Sequence, residues 1–140
     1  MLFRSRIGDV EPRVRAFTTL DPAGALKQAE TLTAEAKAGR FRGPLYGIPF
    51  GVKEVYHVKG MPTAEDVTLP KGTPQPEDST VVRKLKEAGA VLVGKLWAGG
   101  TVTRNAWNLE HTAGGSSTGD RKSTRLNSSH IQKSRMPSSA

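Results

Sequence analysis

One lysine stands inside an apolar, β-branched segment, FGVKEVYHV, which runs from Phe50 to Val58. Lysines on strands usually face solvent, and that is the simpler interpretation of Lys53. The other interpretation is an amine buried from water. Because burial disfavours the charged form of an amine, such a lysine can accept a proton near neutral pH and act as a general base.

A second candidate for chemistry is the run GGSSTG, from Gly114 to Gly119. Glycine reaches backbone conformations that are closed to other residues. On its own, a GGSS run is typical of a flexible polar turn. The alternative is a serine held in a strained loop, where its hydroxyl joins a proton relay. An amine base and a relay serine together would suit a nucleophilic mechanism.

Two helices are predicted to position these residues. The first begins after Asp21, an N-cap followed by a proline at the first helical position, and ends at Gly39. The second is capped by Asp78 or Ser79 and ends at Gly89. Their apolar residues recur at helical spacing, which favours helices with one buried face.

Two strands are predicted beside the helices. Phe50 to Val58 is one, and the nearly continuous apolar run Ala90 to Leu96 (AVLVGKL) is typical of a strand buried on both faces. Residues 1–20 are predicted to form a short helix or an extended arm. Trp97 and Trp107 are predicted to be packing anchors. The alternation of helix and strand indicates an α/β fold.

The composition excludes several classes of protein. The 140 residues include no cysteine, which rules out disulfides, thiolate metal sites and a thiol nucleophile within this sequence. No long apolar run or secretory signal is recognisable, so a soluble, cytoplasmic protein without membrane contact is expected. The net charge of +8 suggests nucleic acid, but half of it falls in Asp120 to Ala140. Elsewhere acids and bases are mixed, so direct binding of nucleic acid is not expected.

The motifs, taken in order, resemble the amidase-signature family. They cover the chain from about Val10 to Gly119 and read LDPAGALKQAE, GPLYGIPFGVKEV, KGMPT, EDSTVVRKLKEAGAVLVGK, TRNAWNLEHT and GGSSTG. The resemblance implies a large mixed β-sheet flanked by helices. Residues 1–119 would then be an incomplete, N-terminal part of that domain.

The same resemblance implies roles for single residues. Lys53 matches the family's catalytic lysine. Ser116 matches its bridging serine, which follows a cis peptide bond, here expected at Gly115–Ser116. Gly114, Gly115 and Ser117 are expected to contribute to substrate binding. The family's nucleophile is a further serine in a downstream glycine-rich loop, and this sequence contains no such loop.

The sequence departs from the family pattern in four places. Between Lys95 and Asn105 it is a few residues short of the stretch that usually forms part of the pocket. Ala106 stands where proline is common, and Glu54 stands where aspartate is common. After Thr63, AEDV replaces a small Gly-Ser turn. These departures affect the expected pocket more than they affect the resemblance.

The final segment, Asp120 to Ala140, differs in character from the rest. It contains six serines, few apolar residues and no periodicity, as disordered tails do. DRKSTRLNSSH and KSRMPSSA each resemble translated sequencing-adapter sequence. We therefore expect residues 120–140 to be a disordered and artefactual tail; the other interpretation is a genuine basic tail that binds nucleic acid.

The expected activity is hydrolysis of a small-molecule carboxamide by a serine–cis-serine–lysine triad, with no cofactor. Two alternatives stay open: the glutaminase component of a tRNA-dependent amidotransferase, with partner subunits, and a non-catalytic fragment that lacks its nucleophile. A metal site is not expected, because His57, His111 and His130 are scattered without ligand spacing.

Overall fold

The computed structural model describes residues 2–63, 72–99 and 102–114. Within those ranges the chain forms three helices and three strands. In chain order they are α1 (Leu2–Val14), β1 (Phe17–Leu20), α2 (Pro22–Lys37), β2 (Pro49–Lys53), α3 (Thr80–Glu87) and β3 (Val91–Leu96).

The three strands form one mixed sheet in the order β1-β3-β2. β2 runs parallel to β3, and the crossover between them contains α3, as a parallel pair requires. β1 runs antiparallel on the other side of β3. The predicted α/β class and mixed sheet are therefore confirmed for this part of the fold.

The central strand carries an irregularity at Gly94. Phe50 pairs with Leu92 but the next residue, Gly51, pairs with Gly94, so β3 has one extra residue at this point. A Cβ atom at Gly94 would lie 2.3 Å from the Thr19 carbonyl oxygen on β1. Only glycine allows the two strands to approach this closely.

Helices cover both faces of the sheet. Val91 packs with Ala25 and Leu32 of α2 on one face. Leu96 packs with Val14 and Ala16, at the end of α1. A separate cluster joins the sheet to α3 and the loop after β2; its buried members are Val52, Val58, Met61, Val82 and Leu92. β3 is thus buried on both sides, as its apolar run predicts.

The predicted helix ends are largely confirmed. The Asp21 carboxylate accepts the Gly24 N–H at 2.8 Å and caps α2, and Gly39 follows that helix with φ +71°. At α3 the N-cap is Ser79, but its hydroxyl makes no capping bond. The preceding Asp78 instead accepts the Lys59 N–H and pairs with Lys86 at 2.8 Å.

Of the two expectations for the first twenty residues, the helix is correct, whereas β2 is shorter than predicted. Residues 2–14 form a full helix, with Pro12 accommodated in its last turn. β1 was not predicted, because a four-residue strand depends on its partner rather than on its own pattern. β2 ends at Lys53 and not at Val58, since β3 ends opposite it and the Tyr56 N–H turns back to the Lys53 carbonyl. No helix within the described ranges is long and apolar enough to cross a membrane.

Candidate active site

Lys53 is the last residue of β2 and lies opposite Leu96, the last residue of β3. Its side chain is partly exposed. Within the described residues, no hydrogen bond or ion pair holds its amine. Gly51, two residues earlier, leaves room for the Leu96 side chain, because a Cβ there would lie 2.9 Å from Leu96 Cδ1. The amine is therefore presented, unengaged, at the carboxyl edge of the parallel strands.

Glu54 directly follows Lys53 and is buried, with 5% of its surface exposed. Its N–H donates to the Leu96 carbonyl at 2.8 Å. Its carboxylate Oε1 accepts the Ala98 N–H at 3.1 Å. Glu54 thus ties the end of β2 to the chain that leaves β3.

Among the described residues, the fully buried lysine is Lys95 on β3, not Lys53. Lys95 has no exposed surface. Its Nζ donates to the Pro62 carbonyl at 2.6 Å and to the Thr63 hydroxyl at 2.8 Å. Burial lowers the pKa of Lys95 below its usual 10.5, and the Glu54 carboxylate opposes that shift. The signal for this residue was a lysine inside the apolar run AVLVGKL, which sequence reasoning did not use.

The segment that leads toward the GGSS run is fastened to the end of α1. The Arg104 N–H donates to the Val14 carbonyl at 2.8 Å, and the Thr103 hydroxyl donates to the Arg15 carbonyl at 3.0 Å. The Ala113 N–H then returns to the Thr103 carbonyl at 3.0 Å. These bonds hold the start and end of residues 103–113 together.

Gly114 ends the described part of this segment, with φ +67°. That conformation favours glycine over other residues. Gly115, Ser116 and Ser117, and with them the expected cis bond, lie outside the described residues. Lys53 and the segment ending at Gly114 both follow the carboxyl ends of strands in one sheet, where α/β folds place their ligands.

Trp107 corrects one expectation. Its side chain is 80% exposed, so the prediction that it anchors the packing is wrong for this chain. Trp97 is partly buried, and its backbone N–H donates to the Ala16 carbonyl at 3.0 Å. Among the residues with described positions, no three histidine, aspartate or glutamate side chains come together as a metal site.

Comparisons with known proteins agree with this geometry. A family model described as Amidase matches residues 2–120. The A subunit of the glutamyl-tRNA(Gln) amidotransferase of Roseiflexus sp. (strain RS-1) is 43% identical over 127 residues, covering 82% of this chain and 26% of its own length. Its counterpart in Myxococcus xanthus is 40% identical over the same coverage. The native peptide amidase of Stenotrophomonas maltophilia superposes with a TM-score of 0.72 at 33% identity, covering 84% of this chain and 28% of that one.

The extent of these matches is itself informative. The chain spans about a quarter of the length of the curated relatives it matches. The alignment to the Roseiflexus protein runs over 127 residues yet takes in only 82% of a 140-residue chain, so the relative has residues with no counterpart in this sequence. The resemblance inferred from the motifs is confirmed: this chain belongs to the amidase-signature family.

Proposed function

We propose that the gene product to which this chain belongs is an amidase that hydrolyses a carboxamide C–N bond. In this proposal Lys53, in its neutral form, accepts a proton from the Ser116 hydroxyl. Ser116 accepts one from a nucleophilic serine beyond the present sequence. That serine attacks the amide carbonyl, ammonia or an amine leaves with a proton, and water then cleaves the acyl-enzyme to a carboxylic acid.

The observation that carries the proposal is the state of Lys53. A general base must have its nitrogen available to the group it deprotonates. Lys53 is partly exposed at the carboxyl edge of the sheet, and no partner among the described residues occupies its amine. The neighbouring buried charges, Glu54 and Lys95, are both engaged in hydrogen bonds. Family membership supports the same role for Lys53 and for Ser116.

The test begins with the source DNA. Resequencing beyond the codon for Gly119 should reveal a glycine-rich loop with a serine, and the uninterrupted gene product can then be expressed. We expect it to release ammonia or amine from carboxamides, and the Lys53→Met variant to lose that activity. Lys84→Met, which removes an exposed lysine of α3, is the matched control and should remain active. Full activity of Lys53→Met would refute the proposal.

A second candidate is the glutaminase component of a tRNA-dependent amidotransferase. The curated relatives described above are the A subunits of glutamyl-tRNA(Gln) amidotransferases. In this case glutamine would be the amide, and hydrolysis would depend on partner subunits. Release of ammonia from glutamine that rises strongly when partner subunits are added would favour this candidate. Hydrolysis of simple amides by the isolated protein would favour the first.

For the 140-residue chain itself we propose no hydrolysis, since no nucleophile loop accompanies Lys53 and Ser116. We also propose that residues 120–140 lie outside the domain. The family match, which ends at residue 120, supports that boundary. Amide turnover by this chain that disappears in Lys53→Met would contradict the first statement.

A further inference from the structure

We infer that Lys95 is a positioning residue for Lys53, acting through Pro62 and Thr63 together with the carboxylate of Glu54. The inference rests on the proposed function in one respect, that Lys53 is the base. The inference is suggested by the positions of two amines. The fully buried Lys95 ammonium lies on one face of the sheet, and the Lys53 amine, which no described residue binds, lies on the other face at the adjoining strand end.

The two lysines lie at the same level of the sheet on opposite faces. Lys95 pairs with Val52, and Lys53 pairs with Leu96, one residue further along. Residues paired across parallel strands project to the same face, and successive residues project to opposite faces. Lys95 therefore shares the face of Val52, and Lys53 shares the face of Leu96.

The Lys95 ammonium holds the far end of the segment that follows Lys53. Its two acceptors, Pro62 and Thr63, precede it by about thirty residues and come after the turn that leaves β2. Bridges between Val58 and Met61, and between Pro62 and Pro74, fold this segment back on itself. Fixing its end thus restricts where the strand end can move.

Glu54 holds the near end of the same segment. Its backbone N–H extends the pairing to Leu96, and its carboxylate binds the Ala98 N–H. The Lys95 side chain and its bonds are on the face opposite to Lys53. Val52 and Glu54 are buried on either side of Lys53, whereas the Lys53 amine is bound by no described residue.

An apolar side chain of similar length would fill the position of Lys95 without dehydrating a charge. Buried charges are for this reason a costly way to gain stability. The ammonium differs from an apolar side chain in that its hydrogen bonds to the Pro62 carbonyl and the Thr63 hydroxyl are directional and fix one geometry. A fixed geometry matters for a base, since a displacement of about 1 Å can cost about 100-fold in rate.

The test uses three variants of the uninterrupted gene product. Thr63→Val keeps the shape of the side chain but removes the hydroxyl that Lys95 binds, whereas Thr63→Ser retains it. Lys95→Met removes the ammonium. We expect Thr63→Val and Lys95→Met to lower kcat by about 10- to 100-fold with KM nearly unchanged, and Thr63→Ser to stay close to the parent. Lys53→Met, measured in parallel, tests the proposed function separately.

A second measurement does not require turnover. Reductive methylation with ¹³C-formaldehyde labels accessible lysine amines, so Lys53 should be labelled and Lys95 protected. The Lys53 methyl signal, assigned by its loss in Lys53→Met, should shift in Thr63→Val and return to its place in Thr63→Ser. An unchanged Lys53 signal and unchanged kcat in folded Thr63→Val would overturn the inference. Inactivity of the parent protein, with the signal shift present, would refute the proposed function alone.

Discussion

The lysines on the two faces of the sheet differ in burial and in hydrogen bonding. On the face that packs against α3, Lys95 is fully buried and its ammonium donates to Pro62 and Thr63. On the other face, Lys53 is partly exposed and unengaged within the described residues. Both side chains come from the ends of adjacent parallel strands, but β3 is the central strand of the described sheet and β2 is at its edge. The segment after β2 covers Lys95 through Pro62 and Thr63.

This difference separates two roles that the same residue type can fill. Lys95 donates hydrogen bonds to two oxygens, and these bonds hold its ammonium group in one position. A lysine whose amine no described residue binds can approach the group that it is to deprotonate, as a general base must. If burial alone were the criterion for a general base, Lys95 would be chosen, because it is the more buried of the two lysines. If the criterion is an amine that no described residue binds, Lys53 is chosen.

The largest expected effect is on catalysis at the Lys53 face. Lys53→Met in the uninterrupted gene product should lower kcat by about 10²- to 10⁴-fold, because it removes the group that we propose as the general base. The urea midpoint of unfolding should change little, since the side chain is partly exposed and no described residue pairs with its amine. Steady-state kinetics and urea unfolding of the same preparation would check both. If Lys53→Met instead lowered the urea midpoint strongly and lost activity in proportion, Lys53 would act mainly through stability, and the two lysines would no longer differ in role.

The next effect is on stability at the Lys95 face. Lys95→Met should lower the free energy of unfolding by about 2 kcal/mol, because it leaves the Pro62 carbonyl and the buried Thr63 hydroxyl without their donor. Relief from burying a charge partly offsets that loss. Urea unfolding compared with Lys84→Met, an exposed lysine of α3, measures it. A variant as stable as the parent would show that the buried bonds contribute no net stability.

The Lys95 face should also make stability depend on pH. Burial lowers the pKa of Lys95 below 10.5 in the folded protein. Between the folded pKa and 10.5 the unfolded chain binds more protons, so the contribution of Lys95 to stability rises with pH in that window. Below the folded pKa the cost of burying the charge is present in full. The parent should therefore gain stability relative to Lys95→Met as alkaline pH is approached.

The pH effect is measured as a difference between the two proteins, because other lysines and tyrosines titrate in the same range. Urea unfolding at about pH 7 and about pH 10.5, the upper end of that window, would compare the two proteins. A stability difference that stays constant between these conditions, or that moves against the parent at the higher pH, would contradict the expected direction.

Local patterns predicted the elements that carry Lys53. The cap at Asp21, the glycine stops and the apolar run of β3 each act over a few residues, and the structure contains all of them. The pairing of β2 with β3 then places Lys53 at the strand end.

Features that depend on distant residues were missed. β1 has four residues and owes its existence to β3. The burial of Lys95 depends on Pro62 and Thr63, which no pattern near position 95 reveals. Trp107 was expected to be packed because it is large and apolar, yet its neighbourhood leaves it 80% exposed. The roles of Ser116 and the cis bond remain predictions, since those residues lie outside the described ranges.

The smallest expected effect concerns the helix that covers the Lys53 side of the sheet. Asp21→Ala should lower the free energy of unfolding by about 1 kcal/mol, because it removes the carboxylate that accepts the Gly24 N–H at the start of α2. Arg83→Ala on α3 breaks an ion pair whose two side chains are each more than half exposed, and it should change stability less. Urea midpoints of both variants would order them. If Arg83→Ala lowered the free energy of unfolding more than Asp21→Ala, the exposed ion pair of α3 would contribute more to stability than the cap of α2. The two faces would then also differ in what stabilises the helices that cover them.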